Sequence, residues 1–242
     1  MISTNRLAEV FVEVADTLAD EFDLIDFLHR LTIHVVEVTG TAEAGVIMVD
    51  GQQGLSHVAA SSEDARLLEL LQVRNLEGPC VESVRTGEPV LVSDLAGTVE
   101  RWPLFAPLAS SFGFRSAHPF PMRLRDQVIG ALNVFGHSPD GLSVEDVPVV
   151  QSMADVSTIA ILHEQSLRRA KALTEQLQFA LNSRVTIEQA KGAVARALHV
   201  GVDEAFEILR AHARSERMLL TDLALLVLAD RSVMNRLGPR TT

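Results

Sequence analysis

The chain has 242 residues, 47% hydrophobic and 22% charged, a balance that suits a globular protein with one larger and one smaller unit. Its net charge of −11 argues against a general nucleic-acid binder, and its single cysteine, Cys80, excludes an internal disulfide and a cysteine-based metal cluster. The longest apolar runs, such as residues 223–229, fall far short of the roughly 20 residues that a membrane-spanning helix needs, so no membrane partner is expected.

The N-terminal residues lack a basic stretch and carry Glu9, Glu13 and Asp16, so they do not read as a secretory leader, and the expected location is cytoplasmic. Apolar residues at helical spacing predict two helices, one through Leu7, Val10, Phe11, Val14 and Leu18 and one through Leu24, Phe27, Leu28, Leu31 and Val35. Residues 44–50 and 55–61, separated by the small polar loop GQQG, predict a hairpin. A helix is expected over 63–74. A short helix closed by Gly87 and Pro89 comes next, then a strand over 90–92. Residues 114–124 and 127–135 predict two more strands, joined by a turn at Arg125 and Asp126. This order predicts an α+β domain with a mostly antiparallel sheet and helices packed on it.

From Ser143 the pattern changes. Ser143 is the expected N-cap of a helix whose first turns hold Pro148. Met153, Val156, Ala160, His163, Leu167, Ala170, Thr174, Leu177, Leu181 and Arg184 then recur at alternating steps of three and four, one stripe along a long helix. Two readings stand side by side: a parallel dimer seam, or a first half packed on the sheet with only the second half meeting a partner. The helix should run to Leu198, where His199, Val200 and Gly201 break it. A second helix opens with Asp203 and Glu204, acids favoured by the helix dipole, and turns Phe206, Leu209 and Ala213 inward. A third is expected to start with Thr221 as its N-cap, with Leu220 and Leu225 as a hydrophobic staple and Gly238 and Pro239 past its end. Three helices in so short a stretch predict a small bundle.

The acidity is uneven. Residues 174–242 hold nine Lys/Arg against eight Asp/Glu, so nearly all the negative charge belongs to the front of the chain. Arg184 and Lys191 lie two helical turns apart on one side, and Arg210, Arg214 and Arg217 follow at steps of four and three. Such edges suit phosphate contact; equally, they suit solvated cations or salt-bridge partners of Glu188 and Glu207. Gly192 sits inside the same helix, where glycine costs about 1 kcal/mol relative to alanine. The expected reason is a neighbouring helix packed closely against it, with Lys191 left exposed beside it.

Residues 181–228 closely resemble the ANTAR domain, a three-helix RNA-binding module of transcription antiterminators. The resemblance rests on Ser183, Arg184, Ile187, Glu188, Gln189, Ala190, Lys191 and Gly192, then Glu204, Ala205, Phe206, Leu209, Arg210 and Ala213, then Leu223 and Ala224. It implies RNA contact first by Lys191 and Arg210, then by Arg184, Arg214 and Arg217. At the entry to the second helix the chain has Gly201 and Val202 where the family usually has Ser or Asp with Pro. The segments GPCVESVRTGEPVLVSDL, RWPLFAPLASSFGFRSAHPFPM and QVIGALNVFGHSPDGLSVEDV resemble a GAF domain, a signal-sensing fold. The pairing resembles actinobacterial GAF–ANTAR regulators and divides the chain into a GAF-like sensor over 1–165 and a connecting helix with the ANTAR domain over 166–242.

The implied function is a signal-responsive homodimer that binds stem-loops of nascent RNA and acts by antitermination. The alternative is a sensor whose helical tail docks a protein partner without binding RNA. A small molecule or a protein is the expected signal. The cyclic-nucleotide pattern of GAF domains is broken at Val134, Leu142 and Val147. Trp102, Phe105, Phe112, Phe114 and Phe120 are candidates for lining an apolar pocket, with core packing as their default. Cys80 reads as buried and inert, its thiolate disfavoured by Glu77 and Glu82. His118 has no second ligand at metal spacing. The chain contains no phosphate-binding glycine loop, nucleophile elbow or metal-binding histidine pair, so neither an enzyme nor a cofactor or metal is expected.

Overall fold

The structure is a computed structural model that describes residues 12, 23–50, 54–230, 232, 233 and 237. The helix expected through Leu7, Val10, Phe11, Val14 and Leu18 lies outside these residues, as do Gly238 and Pro239. The described residues form two compact units, divided between Ser166 and Leu167.

The first unit opens with α1 (Leu24–Thr39). The Asp23 carboxylate accepts hydrogen bonds from the Ile25 and Asp26 amides at 2.8 and 3.1 Å and so caps α1, and Gly40 ends it in a left-handed conformation. Then come β1 (Glu43–Val49), β2 (Leu55–Ala60), α2 (Glu63–Asn75), α3 (Pro79–Thr86), α4 (Phe105–Ser111), β3 (Ser116–Leu124) and β4 (Gln127–Gly136). The four strands form one sheet in the order β2-β1-β4-β3, every pair antiparallel. The expected hairpins and the helix over 63–74 are therefore present within a residue or two.

The strand expected over 90–92 is reduced to a single bridge between Val92 and Ala117. The cause lies in β3. Beyond Ala117 the Val90 amide still donates to the Pro119 carbonyl at 3.2 Å, but Pro119 and Pro121 have no N–H to return, so the reciprocal bonds of a ladder cannot form along that edge.

Alternation divides the sheet into two packed faces. Val46, Met48, Phe120, Met122, Leu132 and Val134 meet α1 and the start of the long helix α5 (Val147–Leu198). On the other face Ala117 and Phe135 meet α2, α4 and Trp102, while Ile47 and Ala131 meet Cys80 of α3. Ser143 does not cap α5 itself; its hydroxyl accepts from the Asp146 amide at 3.2 Å in the turn before it, and the helix starts at Val147. Met153 and Ala160 are buried in the sheet unit with Val156 packed beside them, whereas Leu167, Leu177 and Leu181 are exposed. The first half of the stripe is thus core of the first unit.

The second unit contains α5 from Leu167 onward, α6 (Val202–Ser215) and α7 (Leu220–Ala229). His199, with φ 57°, ends α5. Ala190, Val194, Ala205, Leu209, Ala213, Leu223, Ala224 and Val227 form the core of this unit. The third helix starts two residues earlier than expected: its N-cap is Leu219 and not Thr221, it offers no side-chain bond, and Thr221 is inside the helix.

Candidate nucleic-acid interface

Four of the five predicted cations lie on two helices of the tail bundle and Arg217 just past the second, and their environments differ. Lys191 is not the open cation expected from sequence. Its ammonium lies 3.0 Å from both carboxylate oxygens of Glu188 and 5.3 Å from the centroid of the Phe206 ring, and its side chain is only 15% exposed. Arg210 is more open but faces Glu207 at 3.6 Å. The carboxylates that competed for these cations in the sequence reading therefore hold the two cations ranked first. Among the described residues, Arg184, Arg214 and Arg217 are exposed and make no ion pair. Arg217 lies past the end of α6 in a left-handed turn, φ 56°.

The reason expected for Gly192 is also corrected. An added Cβ would meet nothing within 4 Å, and the residue is exposed, so no helix of this chain packs against it. It lies on an outward face with Val185, Gln189 and Arg196, spaced i, i+4, i+7 and i+11 and all exposed. Arg196, in the last turn of α5, is a cation the sequence reading passed over. Phe206 was expected on the inner face of its helix. The structure places it outside the buried cluster, partly buried beneath Lys191.

Inside the first unit the five candidate pocket aromatics are separated. Trp102, Phe105 and Phe114 are core of the α2–α4 face with Phe112 packed against it, and Phe120 lies in the core of the opposite face. Phe105, Phe114 and Phe120 are fully buried and line no described cavity; Trp102 borders a surface pocket of about 380 Å³ with Glu77, Glu82, Arg85 and Arg101. Arg101 lies over the Trp102 ring at 4.6 Å and pairs with Glu82.

The polar chemistry of this face is elsewhere. Glu69 of α2 is completely buried and accepts from the Gln72 amide and the Asn133 amide, each at 3.0 Å, and from the Cys80 thiol at 3.7 Å. Gly45, which pairs with Asn133 across β1 and β4, leaves the room: a Cβ there would come within 2.8 Å of the Glu69 side chain. Burial without a cation raises the Glu69 carboxyl to about 7, although its Asn133 and Cys80 hydrogen bonds favour the charged form. The Cys80 thiol is pushed up by its own burial and then by Glu69. The inert thiol expected from sequence is present, but Glu77 and Glu82 are not its cause. Glu77 instead accepts from the Leu104 and Phe105 amides, and Glu82 pairs with Arg101. His118 is 3% exposed with neither ring nitrogen hydrogen-bonded, and burial lowers its pKa, which keeps the ring neutral. Among the described residues no group of His, Cys, Asp and Glu is arranged to hold a metal ion.

Two antiparallel-sheet faces with a buried polar centre, followed by a three-helix bundle, agree with the family comparison. The GAF domain family profile matches residues 23–162 and the ANTAR domain profile matches residues 175–228. The chain belongs to the GAF domain family. It carries an ANTAR domain after the GAF domain, an architecture of signal sensing and RNA-binding regulation rather than of catalysis. No curated protein matches the chain. Among solved structures, the GAF domain of a phosphoenolpyruvate-protein phosphotransferase from Coxiella burnetii is 14% identical, with 69% of this chain and 99% of that one covered at a TM-score of 0.54. The equivalent domain from Acinetobacter is 15% identical over 68% of this chain and 97% of that one, TM-score 0.52. The free methionine-R-sulfoxide reductase of Neisseria meningitidis is 17% identical over 69% and 96%, TM-score 0.52. At these identities the likeness is one of fold, and the reductase's chemistry does not transfer with it. No helix of the described residues is long and apolar enough to cross a membrane.

Proposed function

We propose that this GAF–ANTAR protein is a cytoplasmic, non-enzymatic regulator that binds stem-loops of nascent transcripts through its tail bundle and acts by antitermination. The observation that carries the reading is the cation set of α5 and α6 in a tail free of the front unit's acidity: Arg184, Arg214 and Arg217 open, Lys191 and Arg210 held by carboxylates that an RNA phosphate can displace. RNA hairpins are read through their phosphates and the unstacked bases of their loops, which an exposed helical edge can reach.

The signal enters at the GAF domain, and α5, which carries residues of both units, is the element that passes it on. The exposed Leu167, Leu177, Leu181 and Val185 of α5 support a homodimer paired along this helix. Two tails in one molecule gain effective concentration for paired stem-loops. One observation favours the alternative, a tail that docks a protein: Leu225, Leu226 and Leu228 of the third helix, and Leu219 at its N-cap, are exposed. Fluorescence anisotropy with hairpins recovered from a random pool separates the two. Binding that weakens in Arg184→Ala and Arg214→Ala supports the RNA reading, and a tail that captures no hairpin supports protein docking.

A further inference from the structure

Phe206 is an aromatic side chain that the tail bundle leaves out of its core. The buried cluster is made of small and branched residues of α5, α6 and α7, with Ile187, Leu198, Ile208 and Met218 packed around it, and Phe206 is in neither group. Its side chain is partly buried, with the Lys191 ammonium 5.3 Å from the ring centroid. Arg210 follows it by four residues and therefore shares its side of the helix. An apolar ring outside the core thus has one cation over its face and a second one helical turn along on the same side.

We propose that Phe206 is a stacking platform for one unpaired base of the RNA loop, with Lys191 and Arg210 taking the phosphates on either side of that base. The inference rests on the RNA-binding reading and names the part of the RNA that the site takes. A nucleotide in a strand is the ligand that offers a flat π-face with a negative charge before and after it. That order matches cation, ring, cation. Base–aromatic stacking does not depend on which base is present, because every base has a π-face. Lys191 covers the ring in the free protein, held by Glu188. Its long flexible stem lets the ammonium leave the ring for a phosphate when a base arrives, so the ring stays covered in both states. The hydrophobic residue expected in the core by sequence is then explained by what it meets outside the chain.

The test uses the full chain and a hairpin recovered from a pool with a fixed stem and a randomised loop. Each loop position is replaced in turn by an abasic nucleotide, and binding is measured for wild type, Phe206→Leu and Phe206→Trp, with thermal melting as the check on folding. One abasic position should weaken wild type about ten-fold. Phe206→Leu should lose the same factor and show no further loss at that position, and Phe206→Trp should keep wild-type affinity. If Phe206→Leu melts normally and binds like wild type, or if its loss simply adds to that of every abasic position, the stacking role is overturned. Lys191→Ala and Arg210→Ala weakening the same hairpin would then leave the RNA reading standing. A wild type that binds no recovered hairpin overturns both. Should Phe206→Leu fail to fold, Phe206→Trp decides: a folded tryptophan variant that binds no RNA overturns the proposal.

Discussion

Replacing Glu69 by Gln should make the GAF domain more stable at pH 8 and leave it nearly unchanged at pH 5. The carboxyl is fully buried, is raised from an ordinary 4.5 to about 7 and faces three donors but no cation. The folded protein therefore holds the proton more tightly than the unfolded chain. Stability from this group is fully present below pH 4.5 and is lost as the pH rises through 7. At about 1.4 kcal/mol for each pH unit between the two values, the loss is about 3 kcal/mol. A neutral amide reproduces the protonated carboxyl once the Asn133 amide turns its oxygen, which now lacks a partner, toward it. Trp102 is the one tryptophan and belongs to the core beside α2, so urea unfolding followed by its fluorescence reports this unit. His57 and His118, whose pKa values burial lowers, act in the opposite sense: their contribution is present above 6.5 and lost as the pH falls. They are common to both proteins and cancel in the difference between wild type and Glu69→Gln. A difference that stays the same from pH 5 to 8 refutes the reasoning.

Gly192→Ala should stabilise the tail by about 1 kcal/mol in thermal melting, since the added methyl meets open space and the helix gains a better former; a loss of stability would mean that something in the chain packs there after all. Glu188→Gln should raise RNA affinity by up to about five-fold, the factor that corresponds to releasing one exposed ion pair, and an unchanged affinity means that Lys191 is not held back by it. Leu177→Glu with Leu181→Glu should halve the mass seen by sedimentation if α5 pairs with a second copy, and a wild type already monomeric at the highest concentration removes the dimer from the account.

The elements of the sheet were legible because residues 44–50 and 127–135 are near-continuous apolar runs, as burial on both faces requires, and the tail because its motif spans three helices. What was not legible depends on distant partners. Glu69 and Asn133 are 64 positions apart, and no local pattern joins them. One signal was present: Ala65, Leu68, Glu69 and Gln72 fall at i, i+3, i+4 and i+7, and these are the buried residues of α2. Reading that stripe by position instead of by polarity would have placed the carboxylate inside. In the tail, Phe206 fits an inner-face pattern by residue type, and only the packing of Leu209 and Ala205 around Ala190 and Val194 shows that the core closes without it. Gly192 could be recognised as costly from sequence, but not whether the space beside it was filled.

The central claim, that the tail binds RNA through its cations, is tested most directly by the salt dependence of hairpin binding in wild type and Arg214→Ala. The account predicts an affinity that falls steeply between about 50 and 200 mM salt, and a slope about one unit shallower once the exposed, unpaired Arg214 is removed. A wild-type affinity that does not change with salt, or an Arg214→Ala slope equal to that of wild type, contradicts it.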